Sequence, residues 1–320
     1  MPQRVESHQG TTRGAHRVSK KRHGSARHQP APSPRRPWQA LLVGGTAVGA
    51  IAVIALAIVL NSGGRPAVGE ATAWSTLGTQ DVHSLAFDPA DPQHLYFGHH
   101  GGLLETTDGG RSWQGTSLRD TDAMNVVPPA GDFFQIAGHN IYMETVDRGL
   151  TWQNVPNDLP GLDLHAFVAD PADASHAWAF AVGNGLFETT DKGRTWELRQ
   201  PGDWGALTAF VENGTTVLLA VGSTGLSESA DGGRTWTALG QPTGQVASLA
   251  ASADGAVLYA GTTTGVSRST DRGRTWTATA LTTIGVTVAV HPSDPNLVAI
   301  VDDQTRFFRS TDGGATWPGP

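Results

Sequence analysis

The chain contains no cysteine, which excludes disulfides, thiolate-ligated zinc, iron–sulfur clusters and any cysteine nucleophile. Charge is sparse: Asp, Glu, Lys and Arg make up only 16% of the 320 residues, too little for long, ion-pair-laced surface helices. There are three Tyr and three Met. No P-loop, G-x-S-x-G elbow or H-E-x-x-H pair occurs in the sequence, so phosphate cradling, α/β-type serine hydrolysis and zincin chemistry have no signature here. What is present instead is 40 Gly, 19 Pro and 10 Trp, the composition of many short strands joined by tight turns.

The formal net charge of −7 conceals two opposite segments. Residues 1–37 carry nine Lys or Arg against one acid, Glu6, a balance of +8. Residues 66–320 carry twelve basic against 28 acidic side chains, a balance of −16. The acidic portion should repel nucleic acid and anionic lipid. The basic one, rich in Gly, Ser, His and Pro, has too little apolar surface to fold and reads as a disordered tail.

Trp38 to Leu60 is an uncharged run dominated by Ala, Val, Ile, Leu and Gly. As a helix it would be about 35 Å long, enough for the hydrocarbon core of a bilayer. Arg35 and Arg36 abut one end and only Arg65 lies near the other. The positive-inside rule therefore predicts a cytoplasmic tail (1–37), a transmembrane helix (38–60), a tether (61–72) and an extracytoplasmic domain (73–320) at the cell membrane. A cleaved leader is the competing reading. Its apolar core is normally shorter, and the cleavage-like triplet Ala71-Thr72-Ala73 lies more than ten residues beyond the run.

The acidic portion is a repeat. TTDGGRSW ends at Trp113, TVDRGLTW at Trp152, TTDKGRTW at Trp196, SADGGRTW at Trp236, STDRGRTW at Trp276 and STDGGATW at Trp317. Successive Trp are 39, 44, 40, 40 and 41 residues apart. In each unit an Asp (Asp108, Asp147, Asp191, Asp231, Asp271, Asp312) can pin a turn by accepting backbone N–H groups. A Gly two positions on supplies a positive φ, and the Trp is a rigid wedge. Strand-like runs such as HSLAFDP, HLYFG and GLLETT precede each motif, giving four short strands per period of about 40 residues.

The pattern S/T-x-D-x-G-x-S/T-W resembles the Asp-box, or BNR repeat, of sialidases, sortilin-type VPS10 propellers and photosystem II assembly-factor propellers, and the resemblance covers residues 74–317. It implies an all-β, six-bladed β-propeller with each box in the turn between the third and fourth strands of a blade. Trp74, 39 residues before Trp113, sits in a context like that after each box. Residues 71–78 are therefore expected to supply the outer strand of the last blade and close the ring.

In families with this repeat, ligands bind on the face opposite the boxes, around the central channel. The segments expected there carry Asp81 with His83, Asp122 with Met124, and Asp163 with His165, at a spacing of 41 residues. In a strand, residues i and i+2 point the same way. Loops between second and third strands add His99, His100 and His139, and Asp302 and Asp303 in the last blade. Imidazole with thioether suits copper, and imidazole with carboxylate suits zinc or another divalent ion. The alternative is a polar, water-filled mouth with unrelated His. Trp204 is a candidate platform for a sugar ring, with packing as the competing role. His94, His176 and His291 fall toward the opposite face and read as structural.

Resemblance to sialidases implies three arginines on a carboxylate, a Tyr–Glu nucleophile pair and an Asp acid/base. No Arg lies between Arg65 and Arg111, and Arg111, Arg194, Arg234 and Arg274 are inside boxes. Tyr96, Tyr142 and Tyr259 lie in strand-like runs. Asp81 and Asp163 are the carboxylates a different glycosidase would use. Arg268 and Arg309 replace a Glu repeated in the other blades, which suggests Glu–Arg pairing between blades. These residues predict a membrane-anchored binding module for a protein, glycan or metal, with a sialidase-like glycosyl hydrolase as the alternative and no nucleic-acid partner.

Overall fold

The computed structural model describes residues 81–318 together with the backbone of residues 68–72. The expected membrane helix and Trp74 lie outside the described residues. Among those described, no helix is long and apolar enough to cross a membrane.

Six antiparallel sheets follow one another along the chain. The first contains β1 (Val68–Thr72), β2 (Ser84–Asp88), β3 (Asp91–His99), β4 (Gly102–Thr106) and β5 (Trp113–Arg119). The second runs from β6 (Asn125–Ala130) through β7 (Phe133–Gly138) and β8 (Ile141–Thr145) to β9 (Gln153–Asn154). The third holds β10 (Leu164–Asp170), β11 (Asp173–Ala181), β12 (Gly185–Thr189) and β13 (Glu197–Gln200). The fourth and fifth begin at β14 (Leu207–Glu212) and β18 (Val246–Ala251). The sixth is β22 (Gly285–His291), β23 (Asp294–Asp302) and β24 (Phe307–Ser310). First strands pack on one another round a ring, β2 on β6 and so on to β22, which packs back on β2. This is a six-bladed β-propeller, with a central cavity of about 1020 Å³ lined by the first strands of all six blades.

Each core lies between neighbouring blades. Trp113 is fully buried with Leu85, Phe87 and Phe97 against Ala299, Val301 and Phe307 of blade six. Trp152, Trp196, Trp236, Trp276 and Trp317 enter the five other seams in the same way. A blade buries its faces only against its neighbours, so the wedge at each seam fixes the spacing of the ring.

In the first five blades the box lies between the third and fourth strands, as the resemblance implies, and in the sixth it follows the third strand. In every box Asp Oδ1 accepts the hydroxyl two residues before it and a backbone N–H four residues after it. The Ser or Thr before the Asp accepts the amide of the conserved Gly, which lies at φ between 75° and 99°.

Residues 73–78 of the expected closing strand lie outside the described residues, and only the segment before them can be placed. Val68–Thr72, within the expected tether, forms an edge strand on blade one, with Thr72 opposite Trp113 and Val68 opposite Gly115. The long fourth strand β5 offers that edge. Among the described residues the sixth sheet has three strands. Among the described residues the first and last blades meet by side-chain packing: Trp113 meets Phe307 edge-on at 5.5 Å, and Arg309 donates to the Pro92 carbonyl and the Gln93 Oε1 of blade one.

The Glu–Arg expectation is also corrected. Arg309 bridges to blade one, and Arg268 donates to the Tyr259 hydroxyl. Pairing between blades is made by box arginines: Arg194 lies 2.6 Å from Glu144 of the preceding blade, while Glu188 is held mainly by Arg199 of its own blade, with Arg234 of the next at 3.8 Å.

Candidate metal centre

The channel mouth over blades one to three is built by close backbone approach. The segment carrying Asp122 passes over the ends of β3 and β7, with Ala123 fully buried and its amide donating to the His99 carbonyl. A Cβ on Gly98 would stand 2.2 Å from the Ala123 carbonyl oxygen, and one on Gly138 would stand 1.9 Å from that of Asp122. Only glycine at these two strand ends lets the segment lie there. Asn125, which no motif marks, donates through Nδ2 to the Leu164 carbonyl at 2.9 Å and ties blade two to blade three beside Asp163 and His165. A lone Asn at the start of an apolar first strand was its only sequence signal.

Carboxylates and imidazoles alternate across this face. His100 Nδ1 lies 3.0 Å from Asp81 Oδ2, and His100 Nε2 lies 3.5 Å from Asp122 Oδ2. The same Asp122 oxygen accepts from His139 Nδ1 at 2.5 Å. His139 Nε2 is 3.3 Å from Asp163 Oδ1, which in turn is 3.0 Å from His165 Nε2. His83 Nε2 lies 3.4 Å from Asp122 Oδ1, and both of these atoms are buried without a hydrogen-bond partner. Two groups of three ligand atoms result, one from His83, His100 and Asp122 and one from His139, Asp163 and His165.

The electrostatics follow from burial and pairing. Burial pushes the His83 and His99 imidazoles below the ordinary histidine range, which favours the neutral ring with one nitrogen lone pair. The hydrogen bond between His100 and Asp81 raises the imidazole and lowers the carboxyl. Three carboxylates, Asp81, Asp122 and Asp163, stand among these rings, a donor set suited to a cation.

Most of the expected ligands therefore converge, but in other pairings than their spacing suggests. Asp81, His83, Asp122 and Met124 precede the first strands of their blades, so the strand rule does not govern them. Asp163 and His165 do follow it: Asp163 forms an isolated bridge with His139, and His165 lies in β10. Met124 lines the channel cavity with His83 and His165.

Other candidates lie apart from these two groups. His99 stacks on Phe97, and its Nδ1 accepts the Gly101 amide, so its polar edge belongs to the turn. Trp204, half-buried, packs on Trp236 at 4.5 Å with its indole nitrogen buried, the packing role that competes with a sugar platform. Asp302 is fully buried and pins its own loop through the Gln304 and Arg306 amides and the Arg306 guanidinium. Asp303 is exposed on that loop. His94 sits between Asp88 and Glu105, and His176 between Asp170 and Glu188, away from the mouth as expected. The three tyrosines are buried inside blades, leaving none of them at the mouth.

A family model described as photosynthesis system II assembly factor YCF48 matches residues 69–225, just under half of the chain. No curated protein matches. Among solved structures, a YCF48 bound to D1 peptide is 22% identical with a TM-score of 0.50, covering 80% of this chain and 86% of that one. YCF48 from Cyanidioschyzon merolae is 19% identical with a TM-score of 0.50, covering 76% and 86%. The GH74 xyloglucanase of Xanthomonas campestris is 18% identical with a TM-score of 0.53; the match covers 78% of this chain and 46% of that longer one. At these identities the likeness is one of fold.

Proposed function

From the premise that the chain is a propeller of the Asp-box, BNR type, we propose that it is a membrane-anchored extracytoplasmic binding module whose mouth captures a divalent transition-metal ion on His83, His100 and Asp122. The observation that carries this reading is the pair of buried, unpartnered atoms, His83 Nε2 and Asp122 Oδ1, 3.4 Å apart. A buried imidazole nitrogen and carboxylate oxygen left without hydrogen bonds are costly, and a cation between them removes that cost. Two imidazoles with one carboxylate suit zinc, copper or a similar ion.

The hydrolase reading has less support. Asp81 and Asp163, its candidate carboxylates, are each held by imidazoles, an arrangement that favours ion capture over acid–base attack on a sugar. The anchor rests on the uncharged run Trp38–Leu60 and the basic residues on one side of it.

The test is the melting temperature of the full chain against a panel of Zn²⁺, Cu²⁺ and Co²⁺. An ion at a hundred times its Kd should add about 2.7 kcal/mol. A His83→Ala/His100→Ala variant should melt normally without metal and lose the shift. If no ion in the panel shifts the wild type, the metal reading is wrong.

A further inference from the structure

The second group, His139, Asp163 and His165, is independent of the two orphaned atoms, and its geometry is tighter. Its donor atoms form a nearly equilateral triangle: 3.3 Å from His139 Nε2 to Asp163 Oδ1, 3.0 Å from Asp163 Oδ1 to His165 Nε2, and 3.2 Å between the two Nε2 atoms. Ligands about 2.0–2.1 Å from an ion stand roughly 3.3–3.4 Å apart in a tetrahedron and roughly 2.9 Å apart in an octahedron. The observed edges span that interval, so one ion can touch all three atoms with little movement.

The tautomer fits as well. The Asp122 carboxylate only accepts, so His139 Nδ1 carries a proton and Nε2, which points into the triangle, is the ring atom left to bind an ion. A ligating histidine whose other nitrogen donates to a carboxylate is the usual supported arrangement at metal sites. The three side chains are 40%, 50% and 44% exposed, so one side of the triangle opens to solvent.

We propose that His139, Asp163 and His165 hold a second metal ion with an open coordination position, making the mouth a two-ion centre joined through Asp122, a ligand of the first ion that orients His139 toward the second. One carboxylate beside a divalent cation leaves net positive charge at the open position, which therefore takes an anionic oxygen or nitrogen donor. This inference rests on the reading of the mouth as a metal site, but it can fail separately.

The experiment titrates Co²⁺ into the full chain and follows its visible absorption and stoichiometry. Two ions per chain are expected, falling to one in His139→Ala and in His165→Gln; the milder substitution guards against loss of fold. Azide or acetate should change the absorption of the second ion only. Asp122→Asn should weaken the second ion by about 10–100-fold through loss of the support to His139. Uptake of one ion, abolished by His83→Ala/His100→Ala and untouched by His165→Gln, would overturn the second site and leave the first standing. Absorption indifferent to azide and acetate would overturn the open position. No uptake at all would overturn both sites.

Discussion

At the scale of single residues, the six box aspartates are the most repeated interaction in the molecule. Five of them, Asp147, Asp191, Asp231, Asp271 and Asp312, are held down at about 2. The leading cause at Asp147 is the Thr145 hydroxyl; at the other four it is the hydroxyl four residues on. A carboxyl whose folded value lies below its unfolded one, about 3.8 here, stabilises the fold fully above the unfolded value and loses that contribution as pH falls through the folded one. The urea midpoint should therefore decline between about pH 4 and pH 2. Asp147→Asn should lower it at neutral pH and make the acid decline shallower. An unchanged acid slope would mean the box carboxylates titrate alike in folded and unfolded chains. The motif and its turn role were legible in the sequence because every partner lies within four residues of the Asp. The roles of Trp204 and His99 were not, because a ring reads the same in sequence whether it faces a ligand or another ring.

At the scale of elements, the site depends on where strands end. The two glycines at the ends of β3 and β7 admit the Asp122 segment, and a side chain at either would displace backbone rather than a flexible group. Gly138→Ala should destabilise the chain by about 1–3 kcal/mol and abolish the metal-dependent melting shift. Gly161→Ala, where the nearest atom to a new Cβ is a side-chain nitrogen at 3.6 Å, should stay within about 0.5 kcal/mol and keep the shift. Equal behaviour of the two variants would show that the approach at Gly138 does not position Asp122. The spacing of 41 residues located Asp81, Asp122 and Asp163 on one face. It could not show that each aspartate meets a histidine from a second-to-third-strand loop, because those pairs are made by loop geometry, two of them across blades (His100 with Asp122, His139 with Asp163).

At the scale of the whole molecule, closure is the decision that matters. The first and last blades meet through Trp113, Phe307 and Arg309. Phe307→Ala should therefore leave a cavity at the seam and cost about 3–5 kcal/mol, measured by denaturant unfolding. A loss below about 1 kcal/mol would mean that the seam is not held there. The sequence determined the number of blades, the place of each box and the wedge at each seam, since period and local turn chemistry repeat along the chain. Only the tertiary structure decided which edge takes Val68–Thr72, which side chains meet between the first and last blades, and which imidazole faces which carboxylate. Those contacts link residues far apart in the chain, and no spacing rule fixes a distance between groups brought together only by the curvature of the ring.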